Sequence, residues 1–191
     1  MNILGLDPGT RETGWYILEK GRLALHNVAE NASICCMIVK TGLPSIGLVA
    51  CEWLQCYSGG KREKRGPLIG QETLLTAMWI GRFCEAAIQN GTAFEAYLPP
   101  DIRGHVAANR QADESAVRWA LIDRFGGEQE VRKGGKLYKV AGHQWPALAV
   151  ACAAWDVYQG LPGLKLVPCW KYGNGDDNGK TDTVVAGSQG L

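Results

Sequence analysis

The chain has 191 residues, with 20 Lys and Arg against 19 Asp and Glu, a formal net charge of +1, and 46% apolar residues. That length suits one domain with a sizeable core and a tail, and the apolar fraction excludes intrinsic disorder over most of it. No apolar run reaches the ~18 residues that cross a bilayer, and the near-neutral total removes the simplest argument for a nucleic-acid partner, a strongly basic chain. The expectation is a soluble, unexported protein whose binding properties rest on local sites. Its seven cysteines are odd in number and form no Cys-x-x-Cys pair, which argues against a disulfide framework or a structural zinc site and for buried thiols.

The opening run Asn2-Ile-Leu-Gly-Leu, closed by Asp7-Pro-Gly-Thr10, predicts a buried strand ending in a turn. Residues 15–18 and 22–28, separated by Glu19-Lys-Gly21, continue it as a meander. Residues 29–40 predict a helix stopped by Gly42 and Pro44. Residues 46–51 form a continuous apolar run, the mark of a strand covered on both faces, with Glu52 at its carboxyl end. A glycine-rich stretch over 57–70 surrounds Lys61-Arg-Glu-Lys-Arg65 and reads as a mobile basic loop.

The three/four spacing of Leu74, Leu75, Met78, Trp79, Phe83 and Ala86 predicts an amphipathic helix over 71–89. A short strand over 94–98 is broken by Pro99-Pro100, and a helix spans 112–125 up to Gly126-Gly127. A hairpin is expected over 128–140, then a small-residue helix over 146–158 with Pro146 in its first turn, where a missing N–H costs little. Residues 1–160 form the predicted domain; 161–191 form an extension rich in Gly, Asp, Asn, Thr and Ser, flexible from about 173. No internal repeat is present. Alternation of strands and helices makes the fold class α/β with a mixed sheet.

Asp7 and Glu52 stand out because each closes an apolar strand. Ligands of open α/β sheets collect at the carboxyl ends of strands, and two carboxylates about 4 Å apart repel unless a cation such as Mg²⁺ lies between them. The plainer alternative is a pair of strand-end polar groups facing water.

The segment Ile3-Leu-Gly-Leu-Asp7-Pro-Gly-Thr-Arg11-Glu-Thr-Gly14-Trp resembles the first motif of RuvC-type Holliday junction resolvases, within the ribonuclease-H-like nuclease superfamily. Val49-Ala-Cys-Glu52 is similar to the second acid-bearing strand. Leu98-Pro-Pro-Asp-Ile-Arg103, Asn109-Arg-Gln-Ala-Asp113-Glu-Ser-Ala-Val117-Arg and Ala120-Leu-Ile-Asp-Arg-Phe125-Gly resemble the middle section of phage-type members, so the likeness covers roughly residues 1–158. It implies a ribonuclease-H-like mixed five-stranded sheet flanked by helices, and a Mg²⁺- or Mn²⁺-dependent endonuclease that resolves four-way junctions as a homodimer in a bacterial or phage-infected cytoplasm, with no membrane association. The two acids that such proteins carry at the start of the last helix fall on His143 and Pro146 here. A histidine can ligate a metal or orient water; a proline can do neither. Asp156 is no substitute, because thirteen helical residues from His143 span ~20 Å.

The resemblance thus implies Asp7, Glu52 and His143 as catalytic and metal-holding residues. DNA contact is expected from Trp53 and Tyr57 by stacking and from Lys61, Arg62, Lys64 and Arg65 by phosphate contact, the alternative being an ordinary solvated loop. Arg110 and Arg118 are further DNA-binding candidates, with Arg103 and His105 beside them, while the lysine usual in the family near Glu114 is replaced by that acid. Two other readings stay open. One is a weakened or inactive junction-binding relative, favoured by Pro146. The other is an actin-like ATPase, because Asp7-x-Gly9-Thr10-x-x-x-Gly14 resembles its phosphate loop, although that class needs a second domain and a second glycine-rich loop that these residues do not supply.

Overall fold

A computed structural model of the chain describes residues 1–39, 46–54 and 70–160, together with the backbone of 170–172. In chain order these form β1 (Asn2–Pro8), β2 (Glu12–Glu19), β3 (Arg22–Glu30), α1 (Asn31–Val39), β4 (Ile46–Glu52), α2 (Gln71–Gln89), β5 (Ala93–Tyr97), α3 (Pro99–Ala107), α4 (Glu114–Arg124), α5 (Gln144–Tyr158) and β6 (Trp170–Tyr172). The sheet order is β3-β2-β1-β4-β5-β6. Strands β1, β4 and β5 run parallel to their neighbours in that trio, while β2, β3 and β6 join antiparallel, so the sheet is mixed. The expected five strands are β1 to β5. The short β6 adds a sixth from beyond residue 160.

Because side chains alternate across a strand, β1 and β4 each feed two cores. Ile3, Leu48, Ala50 and Tyr97 pack with α3, α4 and α5 on one face. Leu4, Leu6, Val49 and Cys51 pack with α1 and α2 on the other. Helix α5 is apolar all round and buried from Ala147 to Ala154, because the sheet covers one side of it and α3 and α4 cover the other. Its approach needs Gly5: a β-carbon there would lie 2.2 Å from the carbonyl oxygen of Ala147 and 2.7 Å from Cβ of Ala151.

Three expectations about local structure change. Pro99-Pro100 does end β5, but it also opens α3, as the first residues of a helix whose N–H groups would have no partner. Leu98 before it is extended, as a residue preceding proline prefers. The hairpin over 128–140 is absent: residues 128–131 form a 3₁₀ turn, and the segment closes on itself through Gly135 N–H to Arg132, Tyr138 N–H to Gly135 and Val140 N–H to Leu137. Local i to i+3 bonds satisfy the backbone there, so no cross-strand ladder forms. Helix α5 begins two residues earlier than expected, at Gln144. Among the described residues, no helix is long and apolar enough to cross a membrane.

Five cysteines are described, all as free thiols, and Cys51, Cys84 and Cys152 are buried. Burial pushes the Cys152 thiol up to about 12 despite the nearby Arg124, so it is an inert core group. Cys56 and Cys169 lie outside the described residues, as do the basic loop, residues 161–169 and the tail from 173.

Candidate active site

Strand register brings the two acids together. In the parallel β1–β4 pairing Gly5 faces Ala50 and Leu6 faces Cys51; one residue further along are Asp7 and Glu52. Both fall on the α5 face, since their neighbours Leu6 and Cys51 belong to the opposite core. They line one cleft of about 770 Å³, walled also by the starts of α3, α4 and α5. Burial pushes the Glu52 carboxyl up to about 8, with the Asp7 and Glu114 charges acting in the same direction and Arg103 and His143 opposing them. A carboxyl held neutral by burial and by like charges is a site with a deficit of positive charge.

His143, the residue before α5, meets Asp7 directly: Nδ1 lies 2.8 Å from Asp7 Oδ2. This hydrogen bond raises the histidine's pKa, against the opposing effect of partial burial, with the Asp7, Glu114 and Glu12 charges adding to the rise. The imidazole is not the helix-capping group that its position suggests, because no side-chain cap is made there. Gly14 makes the contact possible. It pairs with Asp7 across the β1–β2 ladder, and a β-carbon at residue 14 would lie 2.2 Å from the His143 carbonyl oxygen. Next in sequence, Gln144 Oε1 accepts from Ala141 N–H at 3.3 Å and from His26 Nδ1–H at 2.8 Å, tying the turn before α5 to β3.

The turn after Asp7 is held from below by Asn31, which is 1% exposed. Its Nδ2 donates to the Gly9 carbonyl at 3.0 Å, its Oδ1 accepts from Thr13 Oγ1 at 2.6 Å, and its backbone N–H donates to the Arg11 carbonyl. Sequence reasoning missed this residue. Its only signal is an amide at the first position of α1, where helix starts favour Asn.

The remaining candidates divide. Arg118 and Arg103 line the cleft, and so does Glu114, the first residue of α4. Arg110 is outside it and pairs with Asp101. His105 is turned inward, with Nε2 at 2.9 Å from Asp156 Oδ2, and Asp156 also takes both terminal nitrogens of Arg124. Trp53 is half-buried against the α1–α2 core, on the face opposite Glu52. Tyr57, Lys61, Arg62, Lys64 and Arg65 lie outside the described residues. Among the described residues, no three His, Cys, Asp or Glu side chains gather closely enough to hold one ion; the expected Asp7, Glu52 and His143 set is a carboxylate pair with a histidine bonded to one of its members.

A mixed sheet of this order, helices on both faces and acids closing two adjacent parallel strands define a ribonuclease-H-like fold. Its structure is similar to that of RuvC from Thermus thermophilus, with TM-score 0.58 and 20% identity over 85% of this chain and 99% of that one. T. thermophilus RuvC in complex with a Holliday junction substrate is similar to the same degree, with TM-score 0.59 and 18% identity over 85% and 98% of the two chains. Neither a protein-family model nor a curated protein sequence matches the chain.

Proposed function

We propose that the protein is a divalent-metal-dependent endonuclease acting on branched DNA, four-way junctions above all. The observation that carries this reading is the convergence of Asp7 and Glu52 at adjacent parallel strand ends, in a cleft of a fold shared with a protein solved on a Holliday junction.

The residues present fit a hard cation. Asp7 and Glu52 offer oxygen donors only, and Glu52 is kept from ionising by burial and by Asp7, a penalty that a bound cation would reverse. Magnesium is commonly held by one or two carboxylates, with water and substrate phosphate oxygens completing its shell, so a third protein ligand is not required. When bound, such an ion supplies an activated water and stabilises the leaving oxygen of an in-line displacement. His143 fixes Asp7 Oδ2 through Nδ1–H; in the neutral ring Nε2 then keeps a lone pair that can accept a proton in the cleft. Arg103 offsets part of the acidic charge around Glu52. The basic residues Lys61, Arg62, Lys64 and Arg65 supply further phosphate contacts, and a two-fold homodimer presents two sites to a two-fold junction.

The test is cleavage of a synthetic four-way junction and of a linear duplex in Mg²⁺ or Mn²⁺, with Asp7→Asn and Glu52→Gln alongside. Junction-selective nicking lost in both variants is the expected result. Equal action on the linear duplex removes the junction assignment, and cleavage that survives Asp7→Asn removes the site.

A second reading has its own observation. Pro146 is the third residue of α5 and lines the cleft where it can neither ligate nor carry a proton. If the carboxylate pair alone does not suffice, the protein binds junctions without cutting them, and the same assay shows selective binding with no product in either metal.

A further inference from the structure

The cleft holds a cation whose placement the carboxylate pair does not explain. Helix α4 turns Glu114, Ser115, Val117 and Arg118 toward the cleft, and Val117 is buried, so this face of the helix is fixed by packing. The Arg118 guanidinium carbon lies 5.1 Å from the centroid of the Trp145 ring. Trp145 is the second residue of α5 and only 8% exposed, so the platform under Arg118 is rigid.

Two nearby arginines are already engaged by carboxylates: Arg110, in the turn between α3 and α4, by Asp101, and Arg124 of α4 by Asp156. Among the described residues Arg118 makes no such ion pair. A guanidinium lying over an aromatic ring keeps its in-plane N–H edge for another acceptor, and that edge suits the paired oxygens of a phosphate. The first turn of α5 also ties this cation to the acids. His143 bonds Asp7 from one end of the turn, and Trp145, two residues on, carries Arg118. Arg118 and Asp7 are therefore both held by residues at the start of α5.

We propose that Arg118, seated on Trp145, is a fixed anchor for a backbone phosphate next to the one at Asp7 and Glu52, so that it aligns a nucleic-acid strand in the cleft. Trp145 is a positioning residue, acting through Arg118. The proposal rests on the nuclease reading above and adds the residue that sets the strand's path.

The experiment measures binding of the full chain to a four-way junction across a salt series without divalent metal, for the parent protein, Arg118→Ala, Arg118→Lys, Trp145→Leu and the double variant Arg118→Ala/Trp145→Leu. Losing one phosphate contact lowers the magnitude of the slope of log K against log salt by about 0.9. That is the expected result for Arg118→Ala, with Arg118→Lys restoring most of the slope. Trp145→Leu is expected to weaken binding only while Arg118 is present, so the double variant matches Arg118→Ala. A parent that binds junctions with a slope unchanged in Arg118→Ala overturns the anchor and leaves the nuclease reading standing. A parent with no affinity for DNA overturns both. Thermal unfolding of each variant separates loss of contact from loss of fold.

Discussion

Gly14 and Glu114 bear most directly on the chemistry at the scale of single residues. Gly14 is the space through which the start of α5 reaches Asp7, so Gly14→Ala drives a methyl group into the His143 carbonyl. The variant should lose about 1–3 kcal/mol of stability, as overpacked sites do. Nuclease activity should fall further than stability, since the His143 to Asp7 bond is the contact displaced; chemical denaturation with a parallel junction-cleavage assay checks both. Glu114 places a third carboxyl in the cleft, and its charge helps raise Glu52. Replacing it by lysine should therefore favour the Glu52 carboxylate and add a phosphate contact. Junction binding by Glu114→Lys should tighten, and its salt dependence should steepen by about 0.9 in slope. An unchanged slope places residue 114 away from the DNA path.

Helix α5 and its clamp set the geometry at the scale of elements. At the end of α5 remote from the site, Asp156 joins three helices: it accepts from His105 of α3 at 2.9 Å and from Arg124 of α4 at 2.6 and 2.7 Å. Burial alone would raise its pKa, but the Arg124 and His105 hydrogen bonds outweigh that and hold it at about 2. A carboxylate depressed below its unfolded value of 3.8 contributes fully above about pH 4, and the contribution is lost as pH falls through about 2. The size is about 2 kcal/mol. Denaturant melts between pH 2 and 5 should show this fall in the parent protein and a flatter profile in Asp156→Asn, which starts lower at neutral pH because Arg124 is left without its partner. The clamp matters to the site because α3 carries Arg103 and α4 carries Arg118 into the cleft.

For the whole molecule, the carboxylate pair predicts linkage between metal and stability. An ion that binds only the folded chain adds about 2.7 kcal/mol at a hundredfold excess over its dissociation constant. Thermal unfolding with and without millimolar Mn²⁺ should show this rise in the parent and not in Asp7→Asn; a rise that persists in the variant places the ion elsewhere.

Much of this architecture was legible in advance. Continuous apolar runs ending in Asp7 and Glu52 are local patterns, as is the alanine-rich run of α5, and local patterns survive folding unchanged. What misled was information that is not local. Pro99-Pro100 is compatible with a strand break and with a helix start, and only the packing of Ile102 into the α5-side core selects the helix. Trp53 follows Glu52 in sequence, but adjacent residues at a strand end point to opposite faces, so the acid lines the cleft while the half-buried ring packs against the other core.

By itself, then, the sequence determined most of the strands and helices and that two acids stand at strand ends. The tertiary structure alone decided that those ends are neighbours in parallel register, that His143 bonds Asp7 directly, and that Arg118 and Glu114 enter the same cleft while Arg110 does not. The physical reason is range. Side-chain periodicity and turn chemistry act over a few residues, whereas the site is assembled by pairings between segments more than forty residues apart, which exist only once Gly5 and Gly14 have let α5 settle on the sheet.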